Sequence, residues 1–360
     1  MHVVSSQNGR AGAPLSVLAA GDHFVLPAAI SAALHEELGD RVVVRELTGP
    51  WPLTPFGPVA EVDEASDTEA ELIAALGHGA EVAITQMAPF TARVLDQAPA
   101  LRLVVVARGG PVNVNLDAAT ERGIAVCSTP GRNAPAAAEL AVALGLAALR
   151  RLGEVHATMR DGAWRSDLYA YDACGGELDG AEAGVVGFGA IGRRVAGVLR
   201  ALGAHVLVAD PFADPATLPE GVEAAALDEL LERSRLVTLH ARLTDETRGM
   251  IGAAELARMD PGAVLVNTAR GALVDGEALA AALAAGRLGG AGLDVFEPEP
   301  LPADHPLRSA PNVVMTPHLG GATRQTADRA VAMAAAETAR WARGEPLAWV
   351  ANPDALRVRG

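Results

Sequence analysis

Short β-branched runs alternate with longer Ala- and Leu-rich stretches along most of the chain. In its first third the runs are SVLAAG (16–21), RVVVREL (41–47), EVAITQ (81–86), LRLVVVA (101–107) and IAVCST (124–129). Between them, stretches such as AAISAALHEEL and EAELIAALGHG carry apolar residues at helical spacing. Strand and helix in strict alternation predict parallel βαβ units, so the class is α/β and this part is one open, doubly wound sheet.

After Thr129, PGRNAPAAAELAVALGLAALRRL reads as one long helix, with Asn133 as N-cap and Pro135 in the first turn. It is long enough to connect two domains. The next segment (160–182) is polar and aperiodic yet holds Trp164, Tyr169 and Tyr171, aromatic content expected to pack against something. From Ala183 a second series begins: AGVVG, HVLVAD (205–210), LVTLH (236–240), AVLVN (263–267), GLDVF (292–296) and NVVMT (312–316). Six strands with intervening helices match the order of a dinucleotide-binding fold. TRQTADRAVAMAAAETARWARGE closes the pattern as a terminal helix.

Composition narrows the chemistry. The 360 residues suggest two domains, and 50% hydrophobic content excludes disorder. A net charge of −15, from 29 basic and 44 acidic side chains, argues against a nucleic-acid partner, which calls for a basic face. The basic residues are all arginine. Without lysine there is no Schiff-base enzyme, P-loop ATPase or Ser–Lys hydrolase. Cys127 and Cys174 stand far apart, so neither a disulfide framework nor a metal site is expected. The N-terminus carries no apolar signal core and no uncharged apolar stretch has the length of a membrane span, so a soluble, cytoplasmic protein without a membrane partner is expected.

The strongest local motif is VVGFGAIGRRVA, where Gly187, Gly189 and Gly192 form G-x-G-x-x-G between a buried strand and a helix. The glycines permit a tight turn, approach of a pyrophosphate, and close packing of helix on strand. The helix start at Ala190 and Ile191 offers free N–H groups to phosphate. The next strand ends in Asp210, where an acidic residue accepts from ribose hydroxyls and repels a 2′-phosphate, favouring NAD (NADH) over NADP.

Three later strand ends carry polar residues in otherwise apolar surroundings: Arg270 in VNTARGALVD, Glu299 in GLDVFEPEPLP and His318 in MTPHLGGAT. Singly, each has a bland structural explanation. Together they supply what hydride transfer to a 2-keto acid needs: a fixed cation for the carboxylate, an acid for the carbonyl oxygen, and a carboxylate that stabilises the protonated acid.

In these motifs, joined in this order over residues 83–353, the chain resembles the D-isomer-specific 2-hydroxyacid dehydrogenases. The resemblance implies a Rossmann NAD-binding domain (132–317) inserted into a flavodoxin-like substrate domain (1–131 and 318–360). It implies that Arg270 binds the substrate carboxylate, that His318 is the general acid/base, and that Glu299 tunes it. It further implies that Arg108, Gly109 and Gly110 of ARGGPVNVN line the substrate site. His240, Thr244, Thr268, Ala269, Asp294 and Gly320 fall at cofactor-side positions. A homodimer is implied too, with 164–171 as candidate contact.

The chain departs from the family pattern where His240-Ala241-Arg242-Leu243-Thr244 replaces H-x-P-x-T. Near Thr85-Gln86-Met87 phosphoglycerate dehydrogenases present a basic residue for the phosphate where this chain has Met87, which weakens phosphoglycerate as substrate unless Arg108 or Arg132 takes the phosphate instead. A chain ending soon after Asn352-Pro353 is expected to lack the regulatory domain of serine-inhibited relatives. Two other activities share the architecture: NAD(H)-sensing binding proteins of the corepressor type, and formate dehydrogenases, which pair the histidine with Gln rather than Glu.

Overall fold

The computed structural model describes residues 13–66 and 68–358. The chain divides into one unit that runs to Asn133 and resumes at Ala322, and a second, Ala134–Gly321. The boundaries drawn from sequence were 131/132 and 317/318. The difference has a chemical consequence: His318, assigned above to the discontinuous domain, lies in the continuous unit.

In the first unit five strands, β1 (Leu15–Gly21), β2 (Val42–Thr48), β5 (Val82–Thr85), β6 (Leu103–Val106) and β7 (Ala125–Ser128), form a parallel sheet ordered β2-β1-β5-β6-β7. Counted within the sheet this is 2-1-3-4-5, the flavodoxin-like order. β1, β5, β6 and β7 read as mostly apolar runs because both faces are covered, whereas the edge strand β2, VVVRELT, has four exposed residues. On β1, Val17 and Ala19 pack with Ile30 and Leu34 of the helix Pro27–Leu38 and with Ala330 and Ala334 of the helix Arg324–Arg343. Leu18 and Ala20 face the opposite way, toward Leu72, Val94 and Ala119. A small antiparallel pair, β3 (Gly57–Val59) and β4 (Val62–Ala65), was not foreseen.

The second unit is a seven-stranded parallel sheet: β8 (Glu182–Val186), β9 (His205–Ala209), β10 (Val222–Ala224), β11 (Leu236–Leu239), β12 (Val264–Asn267), β13 (Gly290–Leu293) and β14 (Val313–Met315). Its order, β10-β9-β8-β11-β12-β13-β14, is 3-2-1-4-5-6 with one more strand at the edge, a Rossmann sheet. The unforeseen member is β10, an outer strand of three residues with two exposed.

The single long helix expected after Thr129 is two helices, Ala134–Leu149 and Leu152–Arg160, separated by Arg151 in the left-handed conformation (φ 52°). Trp164, Tyr169 and Tyr171, expected to pack, are 80%, 95% and 92% exposed within the single chain. Among the described residues no helix is long and apolar enough to cross a membrane, and no three His, Cys, Asp or Glu side chains group as metal ligands.

Candidate functional site

The carboxyl ends of the second unit's strands carry most of the candidate residues. Between β8 and the helix Ala190–Ala201 the chain turns through Gly187 at φ 91°, a left-handed backbone, and a Cβ there would lie 2.6 Å from Ala241 N. A Cβ on Gly192 would lie 2.0 Å from the Gly187 carbonyl oxygen, so helix and turn touch only because no side chain intervenes. At Gly189, by contrast, a Cβ would meet nothing within 4 Å. The helix beginning there has no side-chain cap and no acidic residue in its first turn. Open space before uncapped N–H groups at the positive end of a helix fits a pyrophosphate, with Ala190 and Ile191 in the first turn.

Asp210, just past β9, accepts from Phe188 N at 2.6 Å and from Phe212 N at 2.8 Å. Each oxygen keeps a second lone pair, so the carboxylate ties the glycine turn to the next strand and still offers acceptors for ribose hydroxyls. His240 at the end of β11 is enclosed. Its Nε2 meets Thr238 Oγ1 at 3.0 Å, its Nδ1 has no partner, and burial pushes its pKa down to about 4, leaving it neutral. Thr244 stands on an exposed turn, where its N–H donates to Thr247 Oγ1 at 2.8 Å. Thr268 is buried with its hydroxyl unpartnered.

At the end of β12, Asn267 braces the loop bearing Arg270: its amide donates to Arg270 O at 2.8 Å and its carbonyl accepts from Ala269 N at 3.1 Å. Arg270 itself is exposed, with Nη1 donating to Ala269 O at 2.8 Å. The expected strand over 292–296 ends at Leu293, because Asp294 leaves the ladder to become a buried anchor.

The Asp294 carboxylate accepts from Thr316 Oγ1 (2.6 Å), Leu319 N (2.7 Å) and Gly320 N (2.7 Å). Its own N–H donates to Asn267 O at 3.0 Å and its carbonyl accepts from His318 N at 2.8 Å. Three bonds to one carboxylate make its burial tolerable and pin residues 316–320. The segment is held tightly enough to keep His318 in the left-handed region, φ 56°, which costs a non-glycine residue free energy.

His318 Nδ1 lies 2.8 Å from Glu299 Oε2, and Glu299 Oε1 accepts from Phe296 N at 2.9 Å. Both side chains are partly exposed, at 34% and 27%. Glu299 is thus held at one oxygen and holds the imidazole with the other. Because a carboxylate only accepts, Nδ1 carries the proton and Nε2 is left free.

Sequence reasoning singled out Arg270, Glu299 and His318, and the second unit gathers all three at one sheet end. It missed the braces, Asn267 and Thr316. Asn267 was legible as the first residue of the N-x-x-R run, whereas Thr316 carried no signal of its own. Asp294, expected on the cofactor side, spends both oxygens on the His318 loop.

Arg108, Gly109 and Gly110 follow β6 in the first unit. Arg108 pairs with Glu64, donates to Met87 Sδ at 3.3 Å, and has its guanidinium 6.0 Å from the Phe56 ring centroid. A Cβ at either glycine would meet nothing within 4 Å, leaving backbone open to a ligand.

Known proteins carry similar sequences and folds. The family model described as the NAD binding domain of D-isomer specific 2-hydroxyacid dehydrogenases matches residues 142–320. The chain is 40% identical over 324 residues to a D-3-phosphoglycerate dehydrogenase of Mycobacterium leprae (strain TN), covering 90% of this chain and 56% of that one. The chain therefore spans little more than half the length of that relative. It is 40% identical over 272 residues to a glyoxylate reductase of Korarchaeum cryptofilum (strain OPF8), covering 75% and 82% of the two chains. The crystal structure of the TT0316 protein from Thermus thermophilus superposes with a TM-score of 0.77 at 36% identity, covering 94% of this chain and 100% of that one.

Proposed function

Since the chain belongs to the D-isomer-specific 2-hydroxyacid dehydrogenase family, we propose that it is an NAD-dependent oxidoreductase interconverting a 2-keto acid and a D-2-hydroxy acid. The observation that carries this reading is the 2.8 Å bond between His318 Nδ1 and Glu299 Oε2, in the same unit as the phosphate-fitting glycine turn. Gly187, Gly189, Ala190, Ile191, Gly192 and Asp210 would hold the dinucleotide. When bound, NADH supplies a hydride to the keto carbon.

The chain's own residues do the rest. Arg270, exposed and borne on a braced loop, holds the substrate carboxylate with two parallel N–H bonds. His318 donates its Nε2 proton to the carbonyl oxygen during reduction and takes it back during oxidation. Glu299, ionised, stabilises the imidazolium and fixes the ring's orientation. In the first unit, Gly109 and Gly110, where a Cβ would meet nothing within 4 Å, leave room beside the backbone for a ligand. Glu299 in place of Gln supports proton exchange with a carbonyl oxygen, which formate oxidation does not require.

The test is NADH oxidation followed by absorbance across 2-keto acids of differing side chain, with NADPH as control. His318→Gln is expected to bind NADH with wild-type affinity while turnover falls by about 10²–10⁴-fold. Turnover preserved in that variant would remove His318 from its role.

A further inference from the structure

Arg242 stands where the chain departs from the H-x-P-x-T pattern, and it borders the glycine turn of the second unit. The N–H of His240 donates to Val186 O at 2.7 Å, and a Cβ on Gly187 would lie 2.8 Å from His240 O and 2.6 Å from Ala241 N. The residue after Ala241 therefore starts at the wall of the turn. Its backbone is fixed, because Thr247 Oγ1 donates to Arg242 O at 2.6 Å and accepts from Thr244 N at 2.8 Å. Ala241 and Leu243 on either side pack on the apolar core, whereas Arg242 is exposed. Among the described residues its guanidinium meets no carboxylate, carbonyl or aromatic ring. Glu246 on the same turn is engaged elsewhere: the Thr244 hydroxyl bonds its carboxyl and holds it below the usual range.

The electrostatics of the turn call for a cation. A pyrophosphate brings two negative charges, and Asp210, bonded to Phe188 N at 2.6 Å, adds a third at the same strand ends. Against them the helix Ala190–Ala201 offers the equivalent of roughly half a positive charge at its N-terminus. The residues between the glycines, Phe188, Ala190 and Ile191, are uncharged. Of the arginines on that helix, Arg193 is laid over the Phe188 ring, its guanidinium 4.5 Å from the ring centroid, and Arg194 follows farther along. Arg242 borders the turn with its guanidinium unengaged.

We propose that Arg242 pairs with the pyrophosphate of the bound dinucleotide, so that this chain draws cofactor affinity from a charge that proline at this position does not supply. The assignment rests on the reading of the glycine turn as the cofactor site and concerns the second unit alone. Arginine suits the role because its guanidinium presents parallel N–H donors to two phosphoryl oxygens and keeps its charge at any working pH.

Fluorescence titrations of the full chain with NADH, at about 50 mM and about 500 mM salt, test this. Arg242→Ala removes no hydrogen bond or ion pair made by that side chain in the folded protein. It should weaken NADH binding at least about tenfold at the lower salt and about threefold or less at the higher, where the charge is screened. Arg242→Lys should recover part of the loss, since it keeps the charge without the fork. Adenosine diphosphoribose, competing with NADH, should suffer the same loss, because it keeps the pyrophosphate and lacks the nicotinamide. Unchanged NADH affinity overturns the proposal, as does a loss equal at both salts, which would place the guanidinium on the adenine ring. A loss confined to NADPH would place it on a 2′-phosphate and overturns it too. So does an equal loss in Arg194→Ala, the mark of a diffuse field rather than a pairing. Failure of the dehydrogenase reading looks different: no 2-keto acid oxidises NADH, while the titrations still report on Arg242.

Discussion

Replacing Asp22 by Asn should stabilise the protein by an amount that depends on pH in a calculable way. Burial raises the Asp22 pKa to about 6, against two backbone N–H bonds at Oδ1 and the positive charges of His23 and Arg108 that lower it. The folded chain thus holds a proton that the unfolded chain, titrating at about 3.9, has released. Stability from this group is fully present below about pH 4, falls as pH rises through about 6, and is level above. The difference of about two pH units corresponds to roughly 3 kcal/mol at pH 8 and about 0.5 kcal/mol at pH 4. Asparagine keeps the Oδ1 acceptor and never ionises, so it recovers that amount. Thermal melts in phosphate- and sulfate-free buffer should therefore show a gain of roughly 4 °C at pH 8 and little at pH 4. An equal gain at both values, or a loss at pH 8, refutes the ionisation argument.

Two further outcomes follow from the second unit. Gly192→Ala places a methyl 2.0 Å from the Gly187 carbonyl oxygen, so the turn must shift; stability should fall by about 1–3 kcal/mol and NADH should bind at least about tenfold more weakly by fluorescence titration. Unchanged binding would remove the turn from the cofactor site. Asp294→Asn sets an amide donor against N–H or O–H donors from Thr316, Leu319 and Gly320, so kcat should fall by about 10²-fold or more, and stability by about 1–3 kcal/mol in urea titrations. Full turnover would show that the His318 loop does not depend on it.

Much of this architecture is legible before any coordinates because parallel strands buried on both faces leave unbroken apolar runs. The glycine turn is legible because its spacing is set by sterics that hold in every such turn. What stayed hidden had physical reasons. The strands Gly57–Val59 and Val62–Ala65 are short, carry a proline and acidic residues, and have no run to betray them. Val222–Ala224 is an exposed edge. The break at Arg151 falls inside LAALRRL (146–152), a run with neither glycine nor proline, so helix propensity alone carries straight through it. Arg132 was named only as a fallback for phosphate, because arginine is ordinarily a surface residue and only the packed chain reveals its burial. The candidate side chains Arg270, Glu299 and His318 were named by type and order, but their braces were not, since a brace looks like any polar residue until its partners are placed.

The N–H of Asp294 on the Asn267 carbonyl has a consequence for how this site can change. Asn267 steadies the loop of Arg270 and Asp294 the loop of His318, so these two side chains hang from a single joint. A displacement at one is transmitted to the other, and double-mutant cycles across the joint should be far from additive. The two loops therefore move as one part: a substitution at the joint resets the spacing of Arg270 and His318 as a whole, whereas one elsewhere on either loop leaves it in place.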